Sequence, residues 1–219
     1  LDIRDRAATS PGIKAASFAS LMPFGQVSAT NRIMRADQSP NTSADPNAPA
    51  PGFGGFTISV SPGFFDSMDV PLRQGRDFTN AEARDADAPP VIIIDQTMAE
   101  KLFPEGNALG QRVRRVDSGQ KNNDVELEIV GICAPFRHDV FQEDTPRRVF
   151  FPFAQSPRPS GFLITRGLIE TRESAVALIP TTRKIIQSVD TTAPILNMTT
   201  VADFVDKNIG LWVTRIGAV

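Results

Sequence analysis

Few side chains in this sequence could carry out chemistry, and they are dispersed along it. The 219 residues include one histidine and one cysteine, His138 and Cys133. These counts exclude an intrachain disulfide, a zinc site built on cysteines and any metal site that needs two imidazoles. His138 could act as the base of a serine hydrolase, but no Gly-x-Ser-x-Gly motif accompanies it. We interpret His138 as a surface-loop residue that follows a strand.

Cys133 ends the run Glu128-Ile129-Val130-Gly131-Ile132-Cys133, which is apolar after its first residue. A reactive thiolate requires electropositive, partly open surroundings, whereas an unreactive cysteine behaves as a small hydrophobic side chain. The apolar run favours the second interpretation. The sequence therefore predicts that Cys133 is buried on a core strand.

The charged clusters have no spacing that is typical of a metal or nucleotide site. Two acidic clusters are interpreted as solvated loops because they lack calcium-loop spacing; they are Asp85-Ala86-Asp87 and Glu143-Asp144. The glycine-rich segment Gly52-Phe53-Gly54-Gly55 lacks both nucleotide fingerprints, and we interpret it as a hinge or bulge.

Arginines form the densest basic positions in the sequence. They are Arg112, Arg114 and Arg115, with a second group at Arg147-Arg148. A solvated strand face is the main interpretation, and an anionic partner is the alternative. The formal net charge of −2 gives no electrostatic reason for nucleic acid binding. We expect no enzyme activity, because no catalytic constellation can be assembled. We also expect no cofactor, no metal site and no nucleic acid partner.

Hydrophobic periodicity predicts the elements that would position any site. The alternation in 56–60 predicts a half-buried strand, and the β-branched run 91–94 predicts a strand buried on both faces. Ser61 is expected to cap a short helix that presents Phe64 and Phe65. A second short helix is expected from Asp95 to Phe103.

Further strands are predicted in four later segments; these are 110–116, 125–133, 149–153 and 162–169. Pro152 argues that the third of them lies at a sheet edge. A helix over 173–190 should be kinked or split by Pro180. Thr199-Thr200 is expected to cap a last short helix.

This order of elements predicts an α+β fold in which a strand-rich segment interrupts a mixed segment. The predicted discontinuous α+β subdomain comprises 1–78 and 160–219, and the predicted β-rich insert comprises 79–159. Residues 36–55 are polar around Asp37–Asn47 and rich in Pro and Asn, so we expect a long mobile loop that could carry recognition.

Several segments in order resemble one family. They are Val60-Ser61-Pro62-Gly63-Phe64-Phe65-Asp66-Ser67-Met68-Asp69-Val70-Pro71-Leu72-Arg73-Gln74-Gly75-Arg76-Asp77-Phe78, Pro90 to Pro104, Leu109 to Arg112, Ile129 to Ile132, Val149 to Gln155, and Asp203 to Val205. Together they resemble the extracytoplasmic core domain of MacB/FtsX-type ABC transporter permeases. The segment 26–55 departs from that pattern.

The resemblance implies a porter-like α+β lobe with an inserted β-rich, sabre-like lobe, outside the bacterial inner membrane in a membrane-anchored permease. It implies mechanical coupling of cytosolic ATP hydrolysis to efflux or to lipid or peptide handling. The implied partners are a cytosolic ABC ATPase, reached through flanking transmembrane helices, a second permease copy, and a periplasmic adaptor or substrate. The resemblance implies no catalytic, cofactor or metal residues, and the partner-binding residues stay unassigned.

Three hypotheses remain open at this point. The first is the permease domain, and its expected flanking spans agree with a chain that starts within a helix and turns apolar near Trp212. The second is a stand-alone periplasmic module that binds a peptide or protein. The third is a hydrolase that uses His138.

Overall fold

The computed structural model describes residues 2–21, 29–38, 51–116, 125–135, 147–156 and 161–207. The helices are α1 (Asp2–Ala8), α2 (Phe64–Ser67), α3 (Asn80–Arg84), α4 (Gln96–Leu102), α5 (Arg172–Val189) and α6 (201–207). The strands are β1 (Ile13–Ala19), β2 (Ala29–Arg35), β3 (Phe53–Val60), β4 (Leu72–Gly75), β5 (Val91–Asp95), β6 (Arg112–Val116), β7 (Glu126–Cys133), β8 (Arg148–Pro152) and β9 (Phe162–Gly167).

These strands form one mixed sheet, in the order β2-β6-β7-β5-β8-β3-β1-β9, with β4 on β7. Strand β2 also pairs with β3, so the first six strands of that order close into a ring. Two neighbouring pairs in the ring are parallel, β3 with β8 and β5 with β7. Ring closure satisfies both hydrogen-bonding edges of each member strand where the pairs overlap.

The first hydrophobic cluster draws side chains from five of the ring strands and from helix α4. Ile33, Val113 and Ile129 belong to it together with Met98 and Leu102 of α4. Helix α4 begins directly after β5, and its seven residues bury Met98, Ala99 and Leu102. The β-branched run of β5 is buried at every position, as its sequence predicts.

A second cluster covers another part of the sheet and connects the ring to β1 and β9. The rings of Phe64 and Phe65 of α2 pack against Phe150 of β8 in tilted and edge-to-face arrangements, with ring centroids 5.8 and 5.1 Å apart. Ala19 of β1 and Ile164 of β9 belong to the same cluster. The ring and the outer strands therefore share hydrophobic packing as well as backbone pairing.

Helices α1 and α5 lie against the outer strands. Ala7 of α1 clusters with Ile13 and Ala16 of β1, and Leu178 and Ile185 of α5 pack on this cluster. Helix α5 has an apolar side but only one residue, Thr182, that is fully buried. It therefore covers the edge of the fold and is not a central core helix.

Several sequence predictions about elements are confirmed. The predicted strands match β3, β5, β6, β7, β8 and β9 within a few residues. The predicted helix after 95 is α4, and its cap is Asp95, whose side chain accepts from the Met98 N–H. The last helix begins as predicted, because the Asp203 N–H donates to Thr200 Oγ1 at 3.0 Å.

Two local predictions are wrong. Strand β8 is not an edge strand, because it pairs with both β3 and β5. Its Pro152 is tolerated because pairing with β5 is confined to Val149 and Phe150. Ser61 does not cap α2, since its Oγ accepts from the Phe18 N–H instead.

Pro180 does not split the helix either, because α5 runs through it from Arg172 to Val189. Pro180 is exposed, so the Val176 carbonyl that loses its helical donor can face water.

The division into 1–78 with 160–219 and an insert at 79–159 stays a prediction. Strands from the two predicted parts pair with each other: β2 pairs with β6, and β3 pairs with β8. The sequence could not indicate these contacts, because periodicity identifies strands and not their partners.

Candidate functional site

Part of what the sequence singled out lies outside the described residues. This applies to His138, Glu143, Asp144 and Trp212, and to most of the loop 36–55. The described ends of that loop are held by arginines. Arg114 donates to the Ala36 carbonyl, and Arg32 Nε donates to the Pro51 carbonyl at 2.8 Å.

Cys133 is buried at the end of β7, as predicted. Burial, with a smaller contribution from the negative charge of Asp95, raises the pKa of its thiol to about 12. A thiol of this kind is protonated at neutral pH and closed to solvent, so it is not a nucleophile.

The arginines of β6 act mainly within the fold. Arg112 forms an exposed ion pair with Glu126 on β7, 3.2 Å away, and Arg114 caps the Ala36 carbonyl. Arg147, just before β8, donates from Nε to the Gly54 carbonyl at 2.8 Å. These contacts favour the structural interpretation over an anionic partner.

Arg148 and Asp95 are buried charged residues on neighbouring strands, and the sequence analysis did not identify them. Both residues are fully shielded from solvent, and their strands β8 and β5 are neighbours. Burial raises the pKa of Asp95 to about 6, while hydrogen bonds from the Met98 and Arg148 backbones and the charge of Arg148 oppose that rise. Burial lowers the pKa of Arg148. The only sequence signal for this pair is two charges at the ends of apolar strands.

A polar network with a buried member lies where α1 meets the rest of the fold. Arg4 is 6% exposed although it is charged. Its guanidinium donates to the Pro62 carbonyl at 3.1 Å and to Asn80 Oδ1 at 2.7 Å, and it also contacts the Asp5 carboxylate. One side chain of α1 thereby contacts both the turn before α2 and the first residue of α3.

Arg84 extends this network from the other side. It is the last residue of α3, and its Nη2 lies 3.1 Å from Asp2 Oδ1 and 2.7 Å from Asp5 Oδ2. Hydrogen bonds to these two carboxylates raise the pKa of Arg84. We refer to Asp2, Arg4, Asp5, Asn80 and Arg84 together as the α1 clamp.

Helix α3 is itself fixed to its neighbours. Thr79 and Glu82 form a capping box at its start, and Glu82 pairs with Arg76 at 2.7 Å. Asp77 accepts from the Gly63 N–H at 2.8 Å and the Phe78 N–H at 2.7 Å. The segment 60–78, which carries the longest motif, therefore supports the clamp: Pro62 accepts from Arg4, and Arg76 holds α3 through Glu82.

Helix α1 is also held on the side of α5. Arg6 Nη1 donates to Ser188 Oγ at 3.0 Å, near the end of α5. Ala7 supplies the apolar contact between these helices and β1. The helix thus has polar contacts with α3 and α5 and apolar contact with the sheet.

The described ranges contain no group of three His, Cys, Asp or Glu side chains that could hold a metal ion. The glycine-rich segment lies at the start of β3 and does not form a phosphate-binding loop before a helix. A Cβ at Gly55 would lie 2.5 Å from the Met98 methyl carbon, so glycine at this position lets Met98 pack against β3.

No helix in the described part of the chain is long and apolar enough to cross a membrane. Large apolar side chains are nevertheless exposed around β9 and α6. The most exposed are Leu168, Ile169 and Leu196, at 64, 66 and 93%.

The fold is that of the outer domains of ABC-type permeases. The periplasmic region of MacB from Actinobacillus actinomycetemcomitans matches with a TM-score of 0.58 at 12% identity, over 95% of this chain and 81% of that one. The extracellular domain of YknZ, a noncanonic ABC-type transporter from Gram-positive bacteria, matches with a TM-score of 0.50 at 15% identity, over 88% of this chain and 83% of that one.

The family model described as the MacB-like periplasmic core domain matches residues 4–202. The chain belongs to this family. It is therefore an extracytoplasmic domain of an ABC transporter permease, which confirms the resemblance drawn from the motifs. No curated protein sequence matches it.

Proposed function

We propose that this domain works mechanically: it couples ATP hydrolysis inside the cell to efflux, or to lipid or peptide handling, outside the inner membrane. The proposal assigns it no bond-making chemistry. In this proposal its partners are a cytosolic ABC ATPase, reached through the membrane part of the permease, and a second permease copy. A periplasmic adaptor or substrate would contact the domain from outside.

The observation that supports this function is the continuity between α1 and the strand ring. Helix α1 contacts α3 through ion pairs and β1 through apolar packing. Strand β1 pairs with β3, which is itself a member of the ring. Close-packed interiors and closed strand rings deform little, so a displacement of α1 should move the ring with it.

The test is a distance measurement in the full permease, reconstituted in lipid nanodiscs with its ATPase. Spin labels on Asp87→Cys and Gln187→Cys report the shape of the domain, because both positions are exposed. A third label in the membrane part reports the position of the domain. Cys133 can stay in place because it is buried.

We expect the distance between the two domain labels to stay constant between the nucleotide-free and ATP-bound states. The distance from the domain to the membrane label should change by several ångströms. Identical distances to the membrane label in both states would overturn the proposed function.

A second candidate function is binding of a peptide or protein outside the membrane. The exposed side chains of Leu168, Ile169 and Leu196 favour it, since large exposed apolar groups can mark interaction sites. Replacing all three with serine should abolish partner crosslinking if these side chains bind the partner. Unchanged crosslinking would rule out their involvement.

A further inference from the structure

We propose that the α1 clamp is the device that transmits motion from α1 to the body of the domain, with Arg4 and Arg84 as its positioning residues. This inference rests on the proposed mechanical function and deepens it. It assigns the coupling to five side chains that the sequence motifs did not single out.

Arg4 is unusually buried for a charged residue. A charged side chain on a helix of seven residues would ordinarily extend into solvent, yet Arg4 is 6% exposed. Its guanidinium reaches Pro62 and Asn80, which lie 58 and 76 residues away in sequence. Because the guanidinium is planar and its donors have fixed directions, these contacts set the orientation of α1 as well as its position.

Arg84 contacts two carboxylates of α1. It faces Asp2 and Asp5, which are three residues apart and so share one side of α1. Asp5 also contacts Arg4, so one carboxylate is shared by the two arginines. Isolated exposed ion pairs contribute little to stability. A network of charge-assisted hydrogen bonds with a buried member fixes the relative position of the helices that it joins.

The α1 clamp is connected to the strand ring. Pro62 follows Val60, the last residue of β3, by two positions, and Val60 pairs with Pro152 of β8. Asn80 and Arg84 belong to α3, whose start is joined to β4 through Arg76 and Glu82. A displacement of α1 therefore reaches β3 and β4 through short, hydrogen-bonded paths.

The test uses the full permease and three variants. Arg84→Glu places a negative charge opposite Asp2 and Asp5 while leaving the buried Arg4 unchanged. Arg84→Glu with Asp2→Arg restores one attraction. Arg112→Glu is the matched control, because Arg112 is also an exposed, ion-paired arginine but lies on β6.

Each variant is examined by amide exchange and by a spin-label distance. Amide exchange in 2–8 should become about tenfold faster in Arg84→Glu, return towards the original rate in the double variant, and stay unchanged in Arg112→Glu. Spin labels on Ala8→Cys and Asp87→Cys span the clamp. Their distance should be independent of nucleotide in the unaltered protein and should broaden or respond to nucleotide in Arg84→Glu.

The outcomes separate the clamp from the proposed function. If the domain moves with ATP but Arg84→Glu matches the control in both readouts, the clamp is wrong and the mechanical function stands. If the unaltered domain does not move with ATP, the mechanical function fails, and the clamp loses its coupling role with it.

Discussion

At the scale of single residues, the buried Asp95 should give the domain a pH-dependent stability. Burial raises its pKa from 3.8 to about 6, so the folded state holds the proton more tightly than the unfolded state between these values. The contribution of Asp95 to the free energy of unfolding is therefore favourable at low pH. It is lost as the pH rises through about 6, by an amount on the order of 3 kcal/mol.

The prediction concerns the difference between the protein and its Asp95→Asn variant. Between pH 4 and pH 7 the unaltered protein should lose stability relative to the variant, as measured by urea unfolding at each pH. Asparagine can still cap α4. Loss of the Asp95 charge beside Arg148 changes the stability of the variant by the same amount at every pH, so it does not alter the pH dependence of the stability difference. Asp87→Asn, in an exposed loop, is the control. Parallel profiles for the protein and Asp95→Asn would show that Asp95 does not titrate in this range.

Cys133 offers a second residue-scale prediction. Because the thiol is fully buried and its pKa is about 12, a maleimide should not label the folded protein at pH 7.5. Labelling should become complete in denaturing urea. Mass spectrometry separates the two results, and rapid labelling of the folded protein would contradict the placement of Cys133. An Asp87→Cys variant supplies an exposed thiol as the positive control.

At the scale of elements, the contact of β7 with the chain leaving β4 depends on Gly131. A Cβ at this position would lie 2.5 Å from the Arg76 carbonyl oxygen, and a backbone atom cannot move aside as a side chain can. Gly131→Ala should therefore lower the free energy of unfolding by about 1–3 kcal/mol, as overpacking does. Thermal unfolding followed by circular dichroism measures the change.

Gly54→Ala is the matched control for this substitution. Gly54 also lies in a strand, and a Cβ there would meet no atom within 4 Å. It should be neutral or slightly stabilising, because alanine restricts the unfolded chain more than glycine does. Equal losses in Gly54→Ala and Gly131→Ala would mean that general strand propensity, and not the Arg76 contact, explains the effect.

The elements show how far the sequence could predict this fold. Alternation and β-branched runs located β3 and β5 because side-chain periodicity is a local property. The closure between β2 and β3, and the interior place of β8, depend on long-range pairing that no local pattern specifies. The α1 clamp was missed for the same reason: Arg4 is an ordinary helix residue until Pro62 and Asn80 are brought beside it.

At the scale of the whole molecule, the sheet should unfold as one cooperative unit. Strands on both sides of the predicted division at 79–159 pair with each other, and the second hydrophobic cluster joins β1 and β9 to the ring. Each part would lose paired edges and buried apolar surface if the other unfolded first. Neither part is therefore expected to remain folded alone.

Two substitutions test this cooperativity. Ile92→Ala removes a fully buried side chain from the cluster that contains α4. Ile13→Ala removes a largely buried side chain from the cluster beneath α1 and α5. Each should lower the free energy of unfolding by about 2–5 kcal/mol. In both variants, amide exchange in β6 and in β9 should accelerate together under conditions that report global unfolding. Acceleration confined to β6 in one variant and to β9 in the other would instead establish two independently folding lobes, and a displacement of α1 would then not have to reach the ring.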